Sequence, residues 1–267
     1  MCIQAITSAM LIFQQLNHGI ELSADGRTLY ASSAEAVFSW SYDASKGLNT
    51  SGPQTLVTGM STEDHTTRTL LLSRKTPGML AISRGSTENL DLIALDITSG
   101  HSQIKAFNLT NMTSDSAYDF NADGLRLGWG LRNSVGVTEH PIDGGLWSVE
   151  NSVDNMQRDG VDVHNNNPGE EMNFHGYLNG TQYEQQGRNY GYPNCYAAWN
   201  ISEIPNNAGL QTGSQFAIGD QNATVNDTLC KNDYVPPVLT FTAHMAPLDI
   251  KFNANGTAAW VTFHGSW

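Results

Sequence analysis

A chain of 267 residues with 13 basic against 26 acidic side chains carries a formal net charge of -13, without the basic stripe that a nucleic-acid partner requires. No stretch approaches the roughly 20 apolar residues of a membrane helix, so no membrane span is expected. Charged residues make up only 15%, so neutral polar groups and attached sugar are expected to carry part of the solubility.

The first fifteen residues, MCIQAITSAMLIFQQ, lack a basic leader, and Gln4, Thr7 and Ser8 break their apolar run. A secretory signal has a cleaner apolar core. Yet eight Asn-x-Ser/Thr triplets occur, at Asn49, Asn108, Asn111, Asn179, Asn200, Asn222, Asn226 and Asn255. In secreted proteins such triplets accept N-linked sugar on exposed turns. The expectation is a secreted protein whose true start lies upstream of this chain.

Four turn-plus-strand units recur along the chain, with no convincing amphipathic helix between them. They are ADGRTLYAS from Ala24, TPGMLAIS from Thr76, IDGGLWSV from Ile142 and ANGTAAWVT from Ala254. Their turn glycines, Gly26, Gly78, Gly144 and Gly256, lie 52, 66 and 112 residues apart, the last close to twice 56. A sheet unit repeating at this period predicts an all-β fold, a β-propeller with four to five blades in one domain over residues 1–267. An irregular β-sandwich is the alternative. Cys195 and Cys230 are placed to pair in an oxidising compartment, which leaves Cys2 odd. Three unpaired thiols remain the other possibility.

Three polar clusters and two late histidines are candidates for chemistry. Asp64-His65-Thr66-Thr67-Arg68 puts a neutral base beside a fixed cation, and an imidazole takes a proton readily near neutral pH. Gly128-Trp129-Gly130-Leu131-Arg132-Asn133 offers a guanidinium fork and an amide among glycines, groups suited to carboxylates and carbonyls. Asp162 to Asn173, DVHNNNPGEEMN, is dense in hard oxygen ligands of the kind Ca²⁺ takes. His244 and His264 lie at strand edges. No nucleophile elbow, phosphate loop or complete dinucleotide fingerprint is present.

Taken in order, these segments resemble the soluble quinoprotein glucose/sorbosone dehydrogenases, and among them the fungal pyranose dehydrogenase branch. The segments are LNHGIELSADGRTLYASS (16–33), HTTRTLLLS (65–73), GLRNSVGVTEHPIDGGLWSVENS (130–152), NPGEEMN (167–173), NYGYPNC (189–195), HMAPLDIKFN (244–253) and FHGSW (263–267). The resemblance implies a six-bladed propeller that oxidises sugars with pyrroloquinoline quinone and calcium. It implies that His65 is the catalytic base, and that Arg132 and Asn133 hold the quinone's carboxylates and carbonyls. It further implies that His264 contacts the cofactor and that backbone carbonyls of the Asn167-Pro168 turn ligate its Ca²⁺. Arg68 and His244 fall in family motifs and are grouped with the cofactor-binding residues. A sugar is the expected substrate, and a heme domain or copper oxygenase the expected electron acceptor. A propeller that only binds glycan or protein, and a Ca²⁺-dependent lactonase, are the rival functions. Family members carry sequence before residue 16 and after the final motif. This chain is therefore expected to be truncated at both ends, to hold quinone poorly in isolation and to aggregate.

Overall fold

The computed structural model describes residues 15–113 and 116–265, so Cys2, the opening fifteen-residue segment up to residue 14, and Ser266 and Trp267 of the last motif lie outside the described residues. The fold is mostly strand, with one α-helix among the described residues. The first sheet holds β1 (Leu16–Leu22), β2 (Thr28–Ser33), β3 (Val37–Asp43) and β5 (Gln54–Thr58) in antiparallel succession. It is extended by β4 (Leu48–Asn49) and, in parallel, by β9 (Tyr118–Asp119). The second is β6 (Leu70–Leu72), β7 (Met79–Arg84), β8 (Gln103–Asn108) and β10 (Leu125–Trp129). The third is β11 (Ser134–Glu139), β12 (Gly145–Glu150), β15 (Glu170–Tyr177) and β18 (Leu239–Phe241). A hairpin of β19 (Pro247–Phe252) and β20 (Ala259–Phe263) follows.

The four glycines found in the sequence each turn the first strand of a sheet or hairpin into the second. Gly26, Gly78, Gly144 and Gly256 have φ of 71, 88, 78 and 71°, the left-handed region where a side chain is strained. The repeat is therefore real, but the 112-residue interval does not hold two units. It holds the rest of the third sheet plus an excursion, so the described residues form three sheets of four or more strands, the β19–β20 hairpin and two further two-stranded pairs, where four to five blades were expected.

The excursion contains the hairpin β13 (Gln157–Arg158) and β14 (Val161–Asp162), the pair β16 (Cys195–Ala197) and β17 (Gln215–Ala217), and α1 (Asp227–Asp233). Asn226 caps α1 by accepting the Leu229 N–H. A disulfide joins Cys195 to Cys230 across 35 residues, as the spacing allowed. Arg158 is fully buried here, forked onto both carboxylate oxygens of Asp227 at 2.9 and 2.8 Å and bonded to the Ala217 carbonyl.

Period-two alternation explains how the sheets stack. Leu70 and Leu72 of β6 join Leu80 and Ile82 of β7 in a core against Val37, Leu56 and Val57 of the first sheet. Leu71 and Ala81, on the opposite face, pack with Val137 and Leu146 of the third. Leading strands β1, β6, β11 and β19 lie side by side in that order. Glycine permits the closest approaches: a Cβ on Gly19 would stand 2.2 Å from the Arg68 carbonyl oxygen, and one on Gly136 2.8 Å from the Asp249 Cα.

Candidate functional site

The segments entering β6, β11 and β19 meet at one end of these leading strands, together with the loops after β7 and β12. Gly85 is the pivot. A Cβ there would lie 2.7 Å from the Asn133 side-chain oxygen, 2.7 Å from the His65 Cβ and 3.3 Å from the Arg132 carbonyl oxygen. Three of the sequence-named residues, His65, Arg132 and Asn133, thus converge on one point, from segments far apart in sequence.

Nδ1 of His65 lies 2.8 Å from the Ser86 hydroxyl and 3.2 Å from the Ser86 carbonyl. That hydroxyl donates its own proton to the Glu88 carbonyl at 2.8 Å, so it meets His65 as an acceptor. Nδ1 therefore carries the hydrogen and Nε2 keeps its lone pair. Asp64 stands 3.9 Å from Nε2 and is largely exposed. Burial, followed by the positive charge of Arg132, holds the imidazole below the ordinary 6.5 despite Asp64. His65 is thus a neutral base at neutral pH.

Arg68 is fully buried, and its guanidinium braces the loop that carries His65. It donates to the carbonyls of His65 (2.8 Å), Thr67 (2.7 Å) and Met60 (2.6 Å) and to the Thr62 hydroxyl (2.6 Å). Burial, then repulsion from Arg84, pushes its pKa down to about 9. These four bonds all stay within this loop.

Arg132 is also buried, yet its fork is only partly engaged. Nε and Nη2 reach the Asn89 carbonyl and side-chain oxygen at 3.2 and 2.9 Å, while Asn151 and Asp154 stand at 3.4 Å. Asn89 ties the same loop to Asp154 through its amide, 2.8 Å from the Asp154 carbonyl. Nδ1 of His244 lies 3.7 Å from the Asp154 carboxylate, and its Nε2 bonds the His164 carbonyl. His264 is exposed, and its backbone N–H donates to the Ala246 carbonyl at 3.0 Å, two residues beyond His244.

The Asn167-Pro168 turn is buried. The Asn167 side chain is occupied structurally, accepting from the Trp199 N–H at 2.9 Å and donating to the Asn200 carbonyl at 3.1 Å. Among the described residues no N–H donates to the Asn167 or Pro168 carbonyl. The oxygen-rich stretch from Asp162 to Asn173 enters a strand at residue 170, and Glu170, Glu171 and Asn173 are buried in β15.

Those glutamates form a layer that sequence reasoning missed. Glu150 accepts the Arg132 N–H at 2.5 Å. Glu170 accepts the N–H of Ser152 at 2.6 Å and of Ala246 at 3.1 Å. Glu171, opposite Glu150 across the ladder, accepts the Ala197 N–H at 3.2 Å and an Asn173 amide hydrogen at 3.0 Å. Each carboxyl pins a backbone amide of a segment bordering the site. The available cue was a Glu-Glu pair heading an otherwise strand-like run, where a buried carboxyl must find donors.

Burial raises Glu170 and Glu171 to about 7, and burial with the Glu171 charge holds Glu150 well above 4.5. An acid whose folded pKa is raised contributes stability fully below its unfolded pKa, and loses it as pH rises through the folded value. His175, fully buried and held near 3 by that burial, works in the opposite sense below 6.5. A substitution tests the layer, because removing the Glu171 charge also relieves Glu150. Glu171→Gln is expected to remove about 1.4 kcal/mol per pH unit from the fall in stability between about pH 5 and 7. Denaturant unfolding across that range measures it, and parallel curves for the two proteins contradict it.

The TrAA12-like family model matches residues 1–267. The pyrroloquinoline quinone-dependent sugar dehydrogenase of Hypocrea jecorina (strain QM6a) is 51% identical over 99% of this chain and 62% of its own length. The calcium structure of the Trichoderma reesei Carbohydrate-Active Enzymes Family AA12 protein superposes with a TM-score of 0.90 at 51% identity, covering 94% of this chain and 62% of that one. The holo form of the pyranose dehydrogenase PQQ domain from Coprinopsis cinerea gives 0.87 at 37% identity, covering 94% and 61%. The chain thus spans somewhat less than two thirds of the length of these relatives. It belongs to the TrAA12-like family.

Proposed function

We propose that the chain is the larger part of a six-bladed β-propeller, a partial domain over residues 1–267, that oxidises sugars with pyrroloquinoline quinone and Ca²⁺. The observation that carries the reading is the convergence of His65, Arg132 and Asn133 on Gly85. The donor set fits the cofactor: a buried, partly engaged guanidinium suits a carboxylated quinone, and the Asn167 and Pro168 carbonyls, without N–H donors among the described residues, suit a hard cation. A quinone-dependent relative at 51% identity and a calcium-containing relative support both.

In this reading Arg132 and Asn133 hold the quinone, with His244 and His264 bordering it, and the Asn167-Pro168 turn holds the ion. Arg68 acts through the loop it braces. When bound, the quinone supplies a hydride acceptor and the ion a Lewis acid. Nε2 of His65 takes the proton of the sugar hydroxyl whose carbon gives up hydride, and Nδ1–H stays on Ser86 as the ring becomes cationic. The negative charges of Asp64 and Asp154 stabilise that cation. Location outside the cell and reoxidation by a heme domain or copper oxygenase complete the proposal. Titrating quinone into the whole propeller protein with and without Ca²⁺, followed by absorbance, tests it: a Ca²⁺-dependent spectral change is expected. A propeller that only binds partners shows none, and a lactonase turns over lactone without quinone.

Ser86→Ala is expected to lower kcat/KM about fivefold, the value of roughly 1 kcal/mol for one hydrogen bond. The Ser86 carbonyl remains to hold Nδ1–H, which limits the loss. Ser86→Thr should restore the rate. The ¹⁵N shifts of the His65 ring report the tautomer directly, and an Nε2–H tautomer in the wild type contradicts the assignment.

A further inference from the structure

The sequons differ in what the folded chain does with the amide nitrogen that would carry sugar. At Asn179, Asn222 and Asn255 the side chain is exposed, and its oxygen is tied back to the residue two positions on. Asn179 accepts the Thr181 N–H at 3.0 Å. Asn222 accepts the N–H and hydroxyl of Thr224, both at 2.8 Å. Asn255 accepts the Thr257 hydroxyl at 2.8 Å. Such turns fix the side-chain oxygen inward and leave Nδ2 on the outer side. Among the described residues, none offers these three nitrogens an acceptor.

Asn200 and Asn226 are the opposite case. Both are half-buried, and both commit Nδ2 to an acceptor of the chain. Asn200 donates to Glu203 at 2.9 Å, sharing the same oxygen with Asn166 at 2.8 Å. Asn226 caps α1 through its oxygen and donates to the Asn222 carbonyl at 2.9 Å. A sugar at Asn200 would push apart the Asn166–Glu203 contact beside the Asn167-Pro168 turn. A sugar at Asn226 would stand between Asn222 and the start of α1, next to the Arg158–Asp227 pair.

We propose that N-linked glycan is carried at Asn179, Asn222 and Asn255, whose amide nitrogens face solvent, and not at Asn200 or Asn226, whose amide nitrogens are bonded within the excursion. The inference rests on the proposed secretion. In the reaction Nδ2 bonds to the anomeric carbon of a lipid-diphosphate-linked oligosaccharide. The anomeric carbon–oxygen bond to phosphate breaks, the lipid diphosphate leaves, and one amide proton is released. The fixed side-chain oxygen remains an acceptor afterwards, so the turn survives modification.

The test is glycopeptide mapping of the protein from a fungal culture, with enzymatic release of the glycan in ¹⁸O water to mark each occupied Asn as Asp. Label at 179, 222 and 255, with unmodified Asn200 and Asn226, is the expected result. Protein recovered from the medium with sugar at 200 or 226, or with any of the three unoccupied, overturns the assignment while leaving secretion standing. Protein confined to cells with no sugar at any triplet overturns the secretion reading and, with it, the assignment.

Discussion

Replacing His65 by alanine is expected to lower sugar turnover by about 10²- to 10⁴-fold, the usual loss on removing a general base, while quinone binding stays nearly intact. The separation follows from the geometry. Nδ1 is committed to Ser86 and leaves Nε2 as the basic atom, whereas Arg132 and Asn133 provide the polar groups proposed for the cofactor. The pH dependence carries a second signature. Burial and Arg132 hold the His65 imidazole below 6.5, so the base form predominates at neutral pH. The rate should fall on the acid side of that value and stay flat just above it. A His65→Ala protein that turns over sugar at the wild-type rate, or an acid limb centred above 6.5, removes His65 from the chemistry.

Arg158→Ala is expected to cost about 3 kcal/mol of stability, the lower end of the range for breaking a buried ion pair from one side. The guanidinium is fully buried, and it holds Asp227 at the start of α1, the Ala217 carbonyl on β17 and, at 3.2 Å, Asp159. Without it the Asp227 carboxylate keeps only the Ala217 N–H at 2.9 Å and the Gln221-capped turn around it. Arg158→Lys keeps the charge but not the fork, so it should fall between the two. Denaturant unfolding measures the change, and a loss under about 0.5 kcal/mol, the scale of an exposed surface substitution, contradicts the buried-clamp account.

Positions with a purely local cause were legible in the sequence. The four turn glycines are required by positive φ, and that requirement is visible without knowing what packs where. The convergence of His65 with Arg132 and Asn133 was reached through motif resemblance, since no spacing rule brings residues 65 and 132 together. What stayed hidden depends on burial across sheets. Ser86 and Asn89 look like ordinary loop polar residues until the second and third sheets stack and set them against His65 and Arg132. Glu170 and Glu171 lay in the oxygen-rich stretch read as hard-ion ligands and Glu150 in no candidate cluster, and only the strand register shows all three turned inward onto backbone amides. The 112-residue interval was misread because an excursion closed by Cys195–Cys230 has nearly the length of a sheet unit.

The most direct test of the central claim is reduction of an electron-accepting dye by the whole propeller protein supplied with sugar, Ca²⁺ and pyrroloquinoline quinone. The account predicts sugar-dependent dye reduction that requires quinone, disappears on chelation of Ca²⁺ and is lost in His65→Ala. No reduction with any aldose, ketose or osone, or equal reduction without quinone, would contradict it.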